Sequence, residues 1–243
     1  MDRAAIDQAV HAVMDASGER AETSPAVVTL LVREYVRTGG SRLRAGGEQA
    51  IVRGLAAFDA ERDPCVRMQW IRAFAESATW CEDVGLGEWT ERALPDAVDA
   101  LESLVRREYE PGEGLVARPV GEQVQCALSL LASFDLSSRL PYAMLAEELL
   151  QSSRRVWWDA AHAWFPGGLV VNCRAARVLC GLAALRADPD YVKRAVVAPG
   201  QSYREDAGNV LTGLTPGPRL APADAAEYGV ALLDWFALDR NLH

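Results

Sequence analysis

The chain is poor in residues that bind metals or cross-link a fold. It has three histidines, His11, His162 and His243, and five cysteines that are widely spaced and include no Cys-x-x-Cys pair. A structural zinc site takes closely spaced histidine or cysteine ligands, and a disulfide framework is typical of short secreted chains. We therefore expect no metal site and no other cofactor. Cys173 and Cys180 are expected to be small buried hydrophobic residues.

Positive charge is also scarce. Lysine and arginine total 25 against 34 aspartates and glutamates, for a net charge of -9 and an isoelectric point near 4.9. Because nucleic-acid affinity comes largely from cations that displace counterions from phosphates, a nucleic-acid partner is not expected. Residues 1–13 include charged side chains and no continuous apolar run, so the sequence predicts neither a signal peptide nor a membrane span there. We expect a cytoplasmic protein without a membrane partner.

No linker rich in Pro, Gly or Ser divides the chain, and no convincing alternation of apolar and polar residues marks a strand. We predict a single all-helical domain over residues 1–243. Helical spacing of apolar residues, with Gly and Pro at the ends, predicts about eleven helices. They cover residues 3–16, 25–38, 48–60, 64–78, 94–105, 122–134, 141–157, 170–186, 189–197, 203–214 and 222–238.

Charged amphipathic helices tend to alternate with almost wholly apolar ones. The helix through Leu94 and Val105 is amphipathic and the next one, 122–134, is apolar; helices 141–157 and 170–186 repeat this order. An apolar helix must be covered on all sides. Each such pair is therefore expected to form a helical hairpin with one outer and one inner helix.

The most distinctive stretch runs from Arg154 to Leu185. Trp157-Trp158-Asp159 is followed by an aromatic loop, Trp164-Phe165-Pro166-Gly167-Gly168, and by Val171-Asn172-Cys173-Arg174-Ala175-Ala176, which opens an apolar helix. This pattern resembles the helical-hairpin (α/α) toroids, which include the six-hairpin glycosidases and the sugar 2-epimerases. The resemblance implies a substrate site at residues 157–174. It implies only a partial or compact α/α toroid, because a full ring of six hairpins normally needs a longer chain.

A second resemblance predicts a different arrangement. Asp63-Pro64-Cys65-Val66-Arg67 followed by Ile71-Arg72-Ala73-Phe74 is similar to one HEAT-type repeat, in which an Asp-Pro start caps a helix. Such repeats stack into an open α-solenoid with a concave binding face. A HEAT-like solenoid is therefore the alternative to the toroid. The alternative function is a non-catalytic helical-repeat scaffold that binds a protein partner.

Asp159 and His162 are the candidate catalytic residues. They are three positions apart, and a carboxylate bonded to one ring nitrogen would orient and charge the imidazole for acid/base chemistry near neutral pH. The alternative is an exposed loop histidine beside an aspartate that caps the following turn. An enzyme with this pair would be isomerase-like or hydrolase-like and would work without a metal.

The candidate ligand-binding residues are four tryptophans and two polar residues: Trp157, Trp158, Trp164, Trp89, Asn172 and Arg174. Indole rings beside Gly-rich turns present flat faces to sugars, and the first turn of a helix has free N–H groups for hydroxyls or anions. Alternatively, the tryptophans fill space under the loop, Asn172 satisfies loop backbone groups, and Arg174 pairs with Asp159 or Glu148. The leading interpretation is a protein that binds or processes a small neutral, carbohydrate-like ligand.

Two pairs of adjacent carboxylates, Glu147-Glu148 and Glu82-Asp83, are weaker candidates. Neighbouring residues on a helix point about 100° apart, so the Glu147-Glu148 pair lacks the facing geometry that glycoside hydrolysis needs. Glu82-Asp83 follows Trp80 at a predicted helix end, near the Trp89 loop, and is the better second site. A solvated loop is the alternative for these two residues.

Overall fold

The computed structural model describes residues 1–16, 23–80, 85–194, 202–214 and 220–240. Within these residues it has eleven helices and one two-stranded hairpin, which confirms the all-helical class. The helices are α1 (Ala4–Asp15), α2 (Pro25–Thr38), α3 (Ser41–Ala60), α4 (Pro64–Ala78), α5 (Leu86–Glu108), α6 (Val120–Ser137), α7 (Leu140–Trp157), α8 (Gly168–Arg186), α9 (Pro189–Arg194), α10 (Tyr203–Gly213) and α11 (Pro222–Arg240). The strands are β1 (Tyr109–Glu110) and β2 (Gly114–Leu115).

Local side-chain signals place several helix ends where they were predicted. Ser24 Oγ accepts a hydrogen bond from the backbone N–H of Val27 at 3.3 Å and caps the start of α2. Asp63 Oδ1 accepts from the backbone N–H of Cys65 at 2.7 Å and caps α4. Gly39 ends α2 in the left-handed conformation at φ 72°, which glycine adopts without a steric penalty.

The third helix is longer than predicted. α3 begins at Ser41, well before the predicted start at Glu48, and Gly46 and Gly47 lie inside it. A methyl group on Gly47 would lie 3.1 Å from Cζ2 of the Trp80 indole. These glycines therefore allow side chains from elsewhere to approach the helix backbone closely. In the sequence alone, the same Gly-Gly pair indicates a helix boundary.

Adding a methyl group at Gly54, also on α3, is expected to have a measurable packing cost. A methyl group there would lie 2.7 Å from Cζ3 of Trp70 and 3.2 Å from Cε1 of Phe74, whose rings are stacked on each other. Gly54→Ala is expected to lower the free energy of unfolding by about 1–3 kcal/mol, because both rings must shift. Urea unfolding measures this loss. The control is Gly87→Ala, at an exposed position in α5 with no atom within 4 Å of the new methyl group; an equal loss in both variants would contradict the packing argument.

The segment around α5 differs from the prediction at both ends. α5 begins at Leu86, so Gly87 and Trp89 belong to its first turns and not to a loop. The predicted loop after it contains the hairpin β1–β2, in which Tyr109 pairs with Leu115 and Glu110 pairs with Gly114. Strands of two residues are too short to show an alternating pattern, so the sequence contained no signal for them.

The helices fall into two compact units, each described by itself. The N-terminal unit holds Asp2–Ser103 and Gly217–Val230, and the C-terminal unit holds Met1, Leu104–Pro216 and Ala231–His243. In the N-terminal unit, α2 packs against α3 and α4. Trp89 lies there in an aromatic cluster, edge-on to Phe58 and Phe74 with ring centroids 4.9 and 5.1 Å away. The single domain over residues 1–243 stays a prediction.

In the C-terminal unit, α6 and α8 are the inner helices. α6 packs against α7 and α8, and α8 also packs against α9 and α10. Every residue of α6 from position 123 to 133 is buried, as expected for an inner helix. A methyl group on Gly121 would lie 3.2 Å from Val171, and one on Gly181 would lie 2.9 Å from Leu131. The two helices therefore run parallel, with their starts side by side.

Among the described residues one helix, α8, is long and apolar enough to cross a membrane, by length and composition alone. The core helix of a soluble protein passes the same test. α8 packs against α6, α7, α9 and α10, and its buried Arg177 forms an ion pair with Asp234 of α11 at 3.1 Å. This packing supports a core helix.

Candidate functional site

The loop between α7 and α8, residues 158–167, carries most of the predicted site residues. After Trp157 ends α7, the chain turns back on itself. The N–H of Asp159 donates to the carbonyl of Trp164 at 2.9 Å, and the N–H of Trp164 donates to the carbonyl of Asp159 at 3.3 Å. Ala163 closes the turn in the left-handed conformation at φ 54°. The loop is therefore a closed turn with a defined backbone path.

Asp159 and His162 form the predicted pair. Asp159 Oδ2 lies 2.7 Å from Nδ1 of His162, while Oδ1 accepts from the backbone N–H of Ala161 at 2.9 Å and of His162 at 3.3 Å. One carboxylate oxygen therefore caps the turn and the other orients the imidazole, while a catalytic role for the pair stays a prediction. Because an ionised carboxylate only accepts, Nδ1 carries the hydrogen, and Nε2 of the neutral ring keeps its lone pair.

The surroundings of Asp159 favour its charged form. The hydrogen bond from His162 is the main cause that lowers the pKa of Asp159; partial burial opposes this shift, and the N–H of Ala161 reinforces it. Both side chains of the pair are open to solvent over a substantial part of their surface. An ionised carboxylate and its oriented imidazole are thus accessible to a ligand.

Trp164 presents an exposed aromatic face beside this pair. The residue is 42% exposed, and its ring centroid lies 5.7 Å from that of His162 with the two planes tilted by 33°. Large aromatic residues usually bury more of their surface than this. Trp164, Asp159 and His162 therefore lie together in one loop.

The other predicted tryptophans have different surroundings. Trp158 packs edge-on against Phe165 with ring centroids 4.9 Å apart, and the guanidinium of Arg154 lies 4.7 Å from the centre of its ring. This is the space-filling role that the sequence left open. Trp157 is half-buried at the end of α7, and Trp89 lies in the aromatic cluster of the N-terminal unit. Of the three tryptophans at residues 157–164, Trp158 fills space under the loop and Trp164 presents its ring to solvent.

Asn172 holds the end of the loop in place. Its Oδ1 accepts from the N–H of Phe165 at 2.8 Å, and its Nδ2 donates to the carbonyls of Phe165 and Gly168, each at 2.9 Å. The side chain is buried, and these bonds use both hydrogens of its amide nitrogen. Of the two interpretations of Asn172, the structure supports the one in which it satisfies loop backbone groups. We do not retain it as a ligand contact.

The free N–H groups at the start of α8 lie earlier in the chain than predicted. α8 begins at Gly168, not at Val170, and both Gly168 and the preceding Gly167 have positive φ. The N–H groups of the first turn therefore belong to residues 168–171, and Asn172 and Arg174 lie in the second turn. Arg174 is half-buried, and its contact with a ligand stays a prediction.

A buried polar cluster in the C-terminal unit was missed by the sequence reasoning. Glu147 of α7 is fully buried; Tyr203 Oη donates to its Oε1 at 2.6 Å, Tyr191 Oη donates to its Oε2 at 3.0 Å, and Arg186 forms an ion pair with it. Gln151 Nε2 donates to Tyr203 Oη at 2.9 Å. Burial, followed by the nearby carboxylate, raises the pKa of both tyrosines. Their phenols therefore stay protonated and donate to Glu147.

A signal for this cluster was present in the sequence. Glu147 lies at helical spacing from Ala143 and Leu150, on the apolar face of α7, where a lone carboxylate needs buried partners. The sequence interpretation treats Glu147 only as one half of the Glu147-Glu148 pair. Because its partners come from α8, α9 and α10, the cluster ties four helices of one unit together, and we assign it to the fold.

The remaining sequence predictions concern the Glu82-Asp83 pair, metal ligands and the cysteines. Glu82-Asp83 lies outside the described residues. In the part of the chain that the structure describes, no group of three or more His, Cys, Asp or Glu side chains is placed to hold a metal ion. The described cysteines, Cys65, Cys126, Cys173 and Cys180, are buried. Burial raises the pKa of the Cys180 thiol well above its usual value, so this thiol is unreactive.

The loop therefore joins three groups that can act on a ligand: a carboxylate, an imidazole and an exposed indole. An imidazole oriented through Nδ1 can accept or donate a proton at Nε2, and an indole can cover the apolar face of a ring. No protein-family model matches the chain, and no curated protein or solved structure is significantly similar to it. Its function has to be inferred from these groups.

Proposed function

We propose that the protein binds a small, neutral, hydroxylated ring molecule, such as a sugar, on the loop between α7 and α8. The observation that carries the proposal is the Asp159–His162 pair, joined at 2.7 Å, beside the exposed ring of Trp164. Trp164 stacks on the apolar face of the ligand ring. Asp159 and His162 bind its hydroxyl groups.

The chemistry of the three groups supports this ligand class. A sugar ring has apolar C–H faces and a rim of hydroxyl groups, so it needs a flat apolar surface and a few polar atoms close to it. Nε2 of His162 can accept a hydroxyl hydrogen, and the indole ring lies beside the imidazole. Trp157 and Arg174, at either end of the stretch, are the further contacts that the sequence predicts.

Proton transfer is the reaction that this pair favours if the protein is an enzyme. Asp159 directs both oxygens to hydrogen bonds within its own turn and to the imidazole, so it is poorly placed to attack a sugar carbon as a nucleophile. His162 can take a proton at Nε2 while the carboxylate stabilises the resulting imidazolium. We therefore favour isomerase-like acid/base chemistry over two-carboxylate hydrolysis at this loop.

Truncating the aromatic face tests the proposal directly. Trp164→Ala is expected to raise the dissociation constant for a bound monosaccharide about tenfold, because ring stacking contributes on the order of 1 kcal/mol. Calorimetric titration with a panel of neutral monosaccharides and disaccharides measures this change. The matched control is Val156→Ala, which truncates another exposed apolar residue, 64% exposed, at the end of α7. If no compound in the panel binds to the unaltered protein, the proposal fails.

One structural observation favours the alternative function, a helical-repeat scaffold for a protein partner. α6 and α8 pack in parallel with their starts together, as inner helices of stacked repeats do. A scaffold of this kind would be indifferent to the sugar panel. It would instead bind a defined protein partner. Trp164→Ala would change the affinity for this partner, and the sugars of the panel would not compete with it.

The proposal includes a cytoplasmic location. The described cysteines form no disulfide bond, which fits a reducing compartment. The acidic composition, with a net charge of -9, fits a protein that has no nucleic-acid partner.

A further inference from the structure

The C-terminal unit contains the same arrangement twice: a closed turn followed by an inner helix. The parallel helices α6 and α8 meet at Gly121 and Val171 near their starts and at Leu131 and Gly181 further along. In each pair, the second residue lies fifty positions after the first. The chain before each inner helix can therefore be compared position by position.

Each inner helix is preceded by a turn that is closed by antiparallel backbone pairing. Before α6, Tyr109 and Glu110 pair antiparallel with Gly114 and Leu115. Before α8, an antiparallel bridge joins Asp159 to Trp164 and encloses four residues, whereas Glu110 and Gly114 enclose three. A buried apolar residue ends each turn: Leu115 in the first, and Phe165, fifty positions later, in the second.

A buried amide from the following helix holds each of these apolar residues. Gln123 Oε1 accepts from the N–H of Leu115 at 2.9 Å, and its Nε2 donates to the carbonyl of Leu115 at 2.7 Å. Asn172 makes the same two bonds with Phe165. The sequence spacing differs by one residue, which the shorter asparagine accommodates. Two unrelated stretches of sequence thus arrive at the same clamp.

The features that the two turns share are those that the fold needs. The closed turn, the buried apolar residue and the amide clamp occur in both copies, so they serve the fold. At the positions fifty before His162 and Trp164 stand Gly112 and Gly114, so this turn closes without a histidine or a tryptophan at these positions. Closing such a turn therefore does not require these two side chains, which leaves them available to a ligand.

We infer that Asn172 is the positioning residue of the loop site: it holds the backbone of Phe165 and Gly168 and thereby fixes Trp164 and the Asp159–His162 pair, without touching the ligand. The inference rests on the proposed function for its ligand. Phe165 directly follows Trp164, the closing residue of the bridge. Releasing Phe165 therefore loosens the bridge and the turn inside it.

Two matched variants test the inference. Asn172→Ala is expected to speed amide hydrogen exchange at Phe165 and to raise the dissociation constant for the bound sugar by about tenfold or more, because the loop samples unproductive arrangements. Gln123→Ala removes the equivalent buried clamp in the first turn. It is expected to speed exchange at Leu115 and to leave the sugar affinity within about twofold of the unaltered protein. If both variants weaken binding equally, or if Asn172→Ala leaves binding unchanged, the inference is overturned.

A second readout does not depend on the ligand. Carboxyl NMR titration of Asp159 follows the hydrogen bond from His162 that lowers the pKa of this group. Asn172→Ala is expected to shift the Asp159 titration upward toward its usual range, and Gln123→Ala is expected to leave it in place. If the Asp159 titration is unchanged in Asn172→Ala, the positioning role of Asn172 is rejected. This result holds even if no sugar of the panel binds to the protein. Should the alanine variant not fold, Asn172→Ser, whose hydroxyl restores one bond, is expected to give an intermediate shift.

Discussion

Glu147→Ala is expected to lower the free energy of unfolding by about 3–5 kcal/mol, the usual range for removing one partner of a buried ion pair. The carboxylate is fully buried and binds Arg186, Tyr191 and Tyr203, which belong to three different helices. Removing it leaves two buried phenols and a largely buried guanidinium without this acceptor. Urea unfolding at neutral pH, followed by circular dichroism, measures the loss.

The neighbouring carboxylate provides the control for Glu147. Glu148 lies one position further along α7 and is half-buried. Glu148→Ala is expected to cost less than about 1 kcal/mol, because its carboxylate keeps contact with water. A Glu147→Ala loss no larger than the Glu148→Ala loss would show that the cluster does not stabilise the fold.

Arg177→Ala is expected to have an effect of similar size, about 3–5 kcal/mol. Arg177 lies in the middle of the core helix α8 with 5% of its side chain exposed, and its Nε binds Asp234 at 3.1 Å. Without the guanidinium, the carboxylate of Asp234 stays in a largely buried site and loses the positive charge that Arg177 placed beside it. Unfolding in urea tests this, and Arg177→Leu combined with Asp234→Leu is expected to recover most of the loss, since the charge is then removed with its partner.

A second ion pair at the same distance shows why burial decides the size of the effect. Lys193 Nζ and Asp190 Oδ1 are also 3.1 Å apart, but both side chains are 74% exposed. Lys193→Ala is expected to change the free energy of unfolding by less than about 0.5 kcal/mol, because water already solvates both charges. Equal losses for Lys193→Ala and Arg177→Ala would contradict the role of burial.

Stability and the proposed function therefore depend on different residues. The clusters around Glu147 and Arg177 lie in the core, whereas Asp159, His162 and Trp164 are exposed on a turn. Substitutions at exposed positions usually change stability by less than about 0.5 kcal/mol. A loss of ligand binding in a Trp164 or His162 variant would thus report on the site and not on unfolding.

The sequence by itself determined those parts of the structure that depend on neighbouring residues. The helix starts at Ser24 and Asp63 and the stop at Gly39 follow from a side-chain cap or a permissive backbone within a few positions. The Asp159–His162 hydrogen bond belongs to the same group, because it spans three residues of one turn. Local spacing was therefore sufficient to predict the all-helical class and the hydrogen bond between Asp159 and His162.

The tertiary structure decided everything that depends on contacts between distant segments. Gly47 proved to be a place where Trp80 meets the backbone of α3, and Glu147 became a buried acceptor for groups from three other helices. Whether Asn172 contacts a ligand or the loop was open in the sequence, because both roles need the same amide at the same position. Only the packing of α8 against its own preceding loop settled that choice, since it buries the amide beside the backbone of Phe165.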